Sequence, residues 1–167
     1  MKDQENVKTE ERGLIVTNDI STSLLTGETT SKIKYVTSLD MKDPEDMEML
    51  VSSMDSVDSK LNDEKGQILE VIGHKIGIYE KVEEVSDEET GEIKEIKRIK
   101  HALTIYTSDG KSHATGSEAC FQSYAVAIGM LKRTPTRENP MLFEVVERPA
   151  KEQGHTYLGL AYKRGVK

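Results

Sequence analysis

Two long segments rich in isoleucine and valine, separated by one polar turn, constrain the fold of this chain most. The first covers residues 67–85 and contains Gly73 and Gly77, which allow a long strand to bend. The polar residues 87–92 (DEETGE) predict a turn, and residues 93–107 predict a second long strand. Two long strands bent at glycines are typical of a strongly coiled sheet in a small barrel.

The order of the remaining segments predicts the fold class. Ser-Asp-Gly at 108–110 predicts a hairpin turn into a third strand at 111–115. A helix follows, which Thr115 or Ser117 caps and Pro135 ends, and strands are expected at 141–147 and 156–164. The chain is therefore expected to be mainly β with one internal helix. This order is that of the five-stranded OB-fold barrel, although an α+β sheet with the same order of elements stays open.

Alternation and helical spacing predict which side chains face the core. In the second strand, Ile99, His101, Leu103 and Ile105 share one face, and Arg98, Lys100, Thr104 and Tyr106 share the other. The inward residues of the helix are expected to be Cys120, Phe121, Tyr124, Ile128 and Leu131. In the last two strands, Phe143, Val145, Leu158, Leu160 and Tyr162 are expected to point inward, and Tyr157 and Lys163 outward.

Residues 1–65 are expected to form an acidic, partly disordered arm, and residues 66–167 the folded domain. Residues 1–12 are almost free of apolar side chains and predict disorder, and residues 13–31 predict an irregular segment. A short strand is expected at 33–39. Asp43 as a cap and Pro44 at the first position predict a helix at about 44–54. Its apolar stripe, Met47, Leu50, Val51 and Met54, is expected to pack on the domain or on a neighbouring subunit.

The net charge of −7 is unevenly distributed along the chain. Residues 1–65 contain 8 Lys and Arg against 15 Asp and Glu, whereas residues 93–167 contain 13 basic and 7 acidic residues. A total of −7 alone would disfavour nucleic acid as a partner. The distribution instead indicates an acidic arm joined to a domain with an anionic partner, although two ordinary solvated surfaces would give the same pattern.

The sequence contains no pattern that indicates catalysis, a metal or a cofactor. Cys120 is the single cysteine and is expected in the core, which suits a reducing cytoplasm. His101 and His113 flank the predicted hairpin and could approach each other, but no metal-binding spacing accompanies them. No apolar run approaches the roughly 18 residues that a membrane-spanning helix needs, so no membrane association is expected.

Cations and tyrosines at predicted outward positions favour single-stranded nucleic acid as the ligand, because phosphates need cations and bases stack on aromatic rings. In the OB-fold, the second and third strands and the neighbouring loops form the usual binding face. The predicted nucleic-acid-binding residues are Lys75, Tyr79, Lys97, Arg98, Lys100, Tyr106, Lys111, His113, Lys132, Arg133, Arg137, Tyr157 and Lys163.

Four segments resemble small single-stranded-DNA-binding proteins encoded by phages and conjugative plasmids of Gram-positive bacteria. They are KLND at 60–63, QILEV at 67–71, DEETGE at 87–92 and SDGKSHATGS at 108–117, and the resemblance covers roughly residues 40–135. It implies an OB-type barrel that binds single-stranded DNA with little sequence preference, without a cofactor, in replication or transfer. The basic C-terminus (KRGVK) departs from the acidic tail through which many such proteins recruit partners.

The expected function is therefore non-enzymatic binding of single-stranded DNA in the cytoplasm of a bacterial host. Replication or transfer proteins are expected as further partners, and homo-oligomer formation stays open. Two alternatives also stay open. One is a module that binds a host protein through the acidic arm, and the other is an RNA-binding barrel.

Overall fold

A computed structural model describes residues 14–15, 34–152 and 154–165. The disorder expected for residues 1–12 lies outside the described residues. So does most of the irregular segment expected at 13–31, but Leu14–Ile15 form a short strand paired with a second strand at Lys34–Thr37.

Eight strands and two α-helices make up the described part of the chain. The strands are β1 (Leu14–Ile15), β2 (Lys34–Thr37), β3 (Ser59–Lys60), β4 (Ile68–Ser86), β5 (Ile93–Thr107), β6 (Ser112–Thr115), β7 (Met141–Pro149) and β8 (Thr156–Lys163). The helices are α1 (Pro44–Asp55) and α2 (Glu118–Leu131), and a 3-10 turn follows β3 at Leu61–Glu64. The protein is thus mainly β with two helices, and the expected order of strands and helices from residue 66 onward is confirmed.

Strand β4 organises a strongly curled sheet that forms half of a barrel. Along one edge it pairs antiparallel with β5, from Val71 opposite Thr107 to Ser86 opposite Ile93. Its other edge pairs first with β7 and then with β2. Strand β6 pairs antiparallel with β5 and parallel with β3, and β8 pairs antiparallel with β7. A bulge between Val71 and Gly73 bends β4, because the extra residue increases the local twist.

The main core fills the inside of this curl, between the sheet and α2. Its fully buried members include Leu103, Ile105, Tyr124 and Phe143, and Val145 and Leu160 complete the contact between β7, β8 and the helix. Cys120 is buried here as a free thiol, as the sequence predicts, and burial raises its pKa to about 12. The predicted inward faces of β7 and β8 are confirmed, whereas Leu131 at the end of α2 is exposed.

A smaller cluster on the opposite face of the sheet corrects two predictions. Tyr106 was expected to face solvent, but it is fully buried with Leu39, Leu50 and Ile72 under α1. The predicted stripe of α1 is also partly wrong, because Val51 and Met54 are 64% and 43% exposed. The buried side of α1 is instead formed by Asp46, Leu50 and Ser53.

Capping side chains place both helices where the sequence predicts them. Asp43 accepts a hydrogen bond from the backbone N–H of Glu45 at the start of α1, and Ser117 accepts one from Cys120 at the start of α2. Within residues 34–65, β2 and β3 are strands of the sheet, and α1 packs on its face. In the described residues, no helix is both long and apolar enough to cross a bilayer.

Candidate nucleic-acid interface

The outer part of the β4–β5 pair is a two-stranded ribbon that projects beyond the rest of the sheet. Among the described residues, β2 pairs with β4 only as far as Ile78, and β6 pairs with β5 only from Leu103 onward. Nearly every side chain from Glu80 to Ile99 is exposed. Both faces of the ribbon are therefore available to a ligand.

The register of the ribbon gathers most of its cations on one face. Tyr79 lies opposite Lys100, Lys81 lies opposite Arg98, and Lys94 lies opposite Val85. Residues opposite each other in an antiparallel pair share a face, so these rows lie together. We call the face that is formed by Tyr79, Lys81, Lys94, Arg98 and Lys100 the basic face. The opposite face of these two described strands carries Glu80, Glu84 and Glu95 with a single cation, Lys97.

Glu83 is the one carboxylate that the described strands place on the basic face. It lies 3.3 Å from Arg98 Nε and 3.9 Å from Lys100 Nζ. Lys81 and Lys94 are exposed and form no ion pair with any described residue. The face therefore keeps a net positive charge, and Glu83 holds two of its cations in place.

The base of the ribbon adds an aromatic ring that the sequence analysis did not single out. Tyr35 of β2 pairs with Gly77, and a side-chain carbon added at Gly77 would lie 3.3 Å from Tyr35 Cε1. The glycine thus leaves room for the ring on the same side as Tyr79. Lys75 Nζ lies 5.5 Å from the centroid of the Tyr35 ring, within cation–π distance. The pairing of β2 with β4 creates this contact, and no local sequence pattern predicts that pairing.

Lys75 itself is buried rather than exposed, which corrects its predicted role as a free cation. Burial lowers its pKa, so the Tyr35 ring lies beside an ammonium that is partly shielded from water. His113 is a similar correction. It is buried on β6, where its Nδ1 lies 2.6 Å from Ser59 Oγ and its Nε2 lies 3.1 Å from Thr107 Oγ1. Burial lowers the pKa of His113.

Tyr106, which the sequence places among the nucleic-acid-binding residues, is not accessible. Its hydroxyl lies 2.6 Å from Ser53 Oγ in the contact between β5 and α1. Burial raises its pKa to about 12. The ring lies on the same side of β5 as the basic face, but α1 covers that part of the sheet.

The loop after α2 contributes fewer free cations than the sequence indicates. Arg137 binds the acidic start of α1, with its Nε 2.8 Å from Asp46 Oδ1 and its Nη1 2.9 Å from Glu45 Oε2. The hydrogen bond to Asp46 raises the pKa of Arg137. Arg133 donates to Asn139 Oδ1 and to the Pro140 carbonyl, and both bonds lie within the loop. Lys132, which ends α2 in a left-handed conformation, is exposed.

The remaining predicted residues lie away from the basic face or on its reverse. Lys97 is exposed on the opposite face of the ribbon, and Lys111 is exposed beside the β5–β6 turn. Tyr157 on β8 borders a shallow groove of about 670 Å³ between β8 and α2. Lys163 forms an ion pair of 3.5 Å with Glu144. The structure thus brings together Lys75, Tyr79, Arg98 and Lys100 of the predicted set.

The histidines do not form a metal site in the described residues. His101 Nδ1 lies 3.1 Å from Glu118 Oε2 and its ring stacks on Phe121, whereas His113 contacts Ser59 and Thr107. His74 Nδ1 lies 2.6 Å from the Tyr124 hydroxyl in the core, and burial lowers its pKa to about 4. No group of three or more His, Cys, Asp or Glu side chains is arranged around a common point in the parts of the chain described.

Comparisons with protein-family models, with curated proteins and with solved structures found no match to this chain.

Proposed function

We propose that this protein binds single-stranded DNA through the basic face of the β4–β5 ribbon, without enzymatic activity and with little sequence specificity. The observation that carries the proposal is the register of the ribbon. It places Tyr79 beside Lys100 and Lys81 beside Arg98 on one exposed face. A ring and several cations on one surface match the two chemical features of single-stranded DNA, its bases and its phosphates.

The fold supports this proposal. Strand β4 pairs with β5 along one edge and with β7 along the other, and α2 lies between β6 and β7 in the chain. This connectivity suits an OB-type Greek-key barrel, which uses its second strand and neighbouring loops to bind oligonucleotides. Because α1 covers the inner part of β5 around Tyr106, the ribbon is the part of that strand left for a ligand.

The chemistry of the face suits sequence-tolerant binding. Lysine and arginine side chains contact phosphates, which are the same at every position. Stacking on tyrosine contributes about 1–3 kcal/mol per base and is available to all four bases. Tyr79 and Tyr35 are both half-buried, so each ring is held in place while part of its surface stays accessible. We place this activity in the replication or transfer of phage or plasmid DNA in a bacterial cytoplasm, which the buried free thiol of Cys120 suits.

A titration of the full chain with fluorescently labelled oligo-dT tests the proposal. Fluorescence anisotropy should show saturable binding at about 50 mM salt and a marked loss of affinity at about 200 mM, because binding releases counterions from the phosphates. An RNA oligomer of equal length is the comparison. Tighter binding to RNA would favour the RNA-binding barrel, and absence of binding to either at low salt would reject the proposal.

A further inference from the structure

Beyond its pairing with β6, the outer edge of β5 is open with respect to all residues that the structure describes. Strand β6 covers only Leu103 to Tyr106, and β4 occupies the other edge. Next to the covered part, the backbone N–H of His101 donates to Glu118 Oε1 at 2.5 Å. From Ile93 to Lys100 no described strand or side chain satisfies this edge of the backbone. A two-stranded ribbon of this kind is marginally stable alone, and an open edge is a template for a further strand.

The contact of His101 also shows which backbone groups point outward. Because successive residues of a strand direct their N–H and C=O groups to alternate edges, the groups of Ile93, Glu95, Lys97 and Ile99 point to the same open edge as those of His101. These four residues are therefore the ones that a further antiparallel strand would hydrogen-bond.

The segment at this edge is close to a palindrome. Residues 93–99 read Ile-Lys-Glu-Ile-Lys-Arg-Ile, with Ile96 at the centre. If a second copy pairs antiparallel about Ile96, Ile93 lies opposite Ile99 of the other copy and Glu95 lies opposite its Lys97. These four residues are also the ones whose backbone groups point to the open edge. The register that pairs their side chains favourably is therefore also the register that forms the backbone hydrogen bonds. Cross-strand pairs of isoleucines and of opposite charges both stabilise a sheet.

We propose that the chain forms a two-fold symmetric dimer in which the open edges of β5 pair antiparallel about Ile96. The occupant of this edge is a second copy, because the charge pattern complements itself. Ile93, Ile96 and Ile99 are 67%, 38% and 66% exposed in the single chain, and the pairing places each of them against an isoleucine of the other copy. The two ribbons become one four-stranded sheet. This inference is independent of DNA binding.

One electrostatic repulsion opposes the dimer. On the basic face, Lys94 of one copy lies opposite Arg98 of the other, and like charges opposite each other are unfavourable. Glu83, which contacts Arg98, reduces this repulsion. We therefore expect a moderate affinity with little dependence on salt, because salt screens the Glu95–Lys97 attractions as well as the Lys94–Arg98 repulsion. The salt dependence distinguishes this contact from DNA binding, which salt weakens.

Sedimentation velocity of the full chain without DNA tests the dimer by charge reversal. Glu95→Lys and Lys97→Glu should each weaken self-association by about tenfold or more, because each places like charges opposite each other at two symmetric positions. An equimolar mixture of the two variants should form a heterodimer, since the two lysines of the first variant then lie opposite the two glutamates of the second across the edge. Circular dichroism should show that each variant keeps its secondary structure.

A matched control lies in the turn between the two strands. Glu88→Lys reverses the charge of an exposed acidic residue outside the paired edge and should leave self-association within about twofold of the original protein. A monomer at all accessible concentrations would overturn the proposal. So would a dimer that is unaffected by Glu95→Lys and Lys97→Glu, or single variants that do not associate when mixed.

Discussion

The Tyr106 hydroxyl lies 2.6 Å from Ser53 Oγ and joins α1 to the outer face of β5. Ser53 in turn donates to the Leu50 carbonyl, so the serine hydroxyl links the helix backbone to the sheet. The apolar part of the ring packs against Leu39, Leu50 and Ile72. This contact fixes α1 on the sheet and leaves the ribbon as the uncovered part of β5.

Replacing Tyr106 should therefore lower the free energy of unfolding. Any loss of DNA binding should result only from unfolding of the chain. Tyr106→Phe removes one buried hydrogen bond and should lower the free energy of unfolding by about 1 kcal/mol, whereas Tyr106→Ala should lower it by about 3–5 kcal/mol. Urea unfolding followed by circular dichroism measures both. Tyr157→Phe, at an exposed tyrosine, is the control and should change little. A Tyr106→Phe variant as stable as the original protein would show that the Ser53 contact contributes nothing.

Arg137 should contribute to the position of the loop after α2 and little to DNA binding. Its guanidinium is bound to Asp46 and Glu45, so it is not a free cation. Arg137→Ala should lower the free energy of unfolding by about 1 kcal/mol, and the loss should be smaller at high salt. Affinity for oligo-dT should stay within about twofold. A tenfold loss of DNA affinity without a loss of stability would instead assign Arg137 to the interface.

Stability should fall in mildly acidic solution because of His74. Burial lowers the pKa of His74 from 6.5 to about 4, so the folded chain keeps this histidine neutral where the unfolded chain protonates it. Stability is then full above pH 6.5 and declines as the pH falls towards about 4, by a total of about 3 kcal/mol. His113, whose pKa burial also lowers, acts in the same direction.

Urea unfolding at several pH values between 4 and 7 measures this dependence. His74→Gln should be less stable at neutral pH but should show a shallower decline, with His113 left to account for the rest. His155→Gln, at an exposed position, should keep the original slope. An unchanged slope in His74→Gln would contradict the assignment.

Tyr79 should contribute directly to DNA affinity. It is half-buried opposite Lys100 on the basic face. Tyr79→Ala should weaken binding to oligo-dT by about tenfold, in keeping with the loss of one stacked base. Tyr79→Phe keeps the ring and should bind within about twofold. Equal losses in the two variants would show that the hydroxyl, rather than stacking, carries the effect.

The sequence predicts the local features of this fold well, but it does not predict which distant segments cover each face of the sheet. The bounds of β4 and β5, the cap of each helix and the inward faces of β7 and β8 follow from alternation and capping, which are local. Alternation also places Tyr106 on the face away from Leu103 and Ile105. It does not show that a helix 53 residues earlier covers that face. The apolar stripe of α1 mispredicts the buried side of the helix for the same reason. Ser53, rather than Val51 or Met54, faces the sheet, where its hydroxyl contacts Tyr106.

The candidate site shows the same contrast between local patterns, which the sequence predicts, and long-range contacts, which it does not. Alternation along β5 alone places Lys94, Arg98 and Lys100 on one face and Lys97 on the reverse, but only the β4–β5 register adds Tyr79 and Lys81 to that face. Tyr35 reaches Lys75 through the pairing of β2 with β4, which no local pattern indicates. Arg137 is not a free cation, because it pairs with carboxylates about ninety positions earlier in the chain.

The most direct test of the proposed interface compares two lysines on opposite faces of one ribbon. Lys94 and Lys97 are both exposed, lie on the same strand and differ in face. Lys94→Ala and Lys97→Ala are titrated with a short oligo-dT, covered by one subunit, over a series of salt concentrations. Lys94→Ala should weaken binding and reduce the salt slope by about one, whereas Lys97→Ala should change neither. Equal effects of the two substitutions, or a larger effect at Lys97, would contradict binding through the basic face.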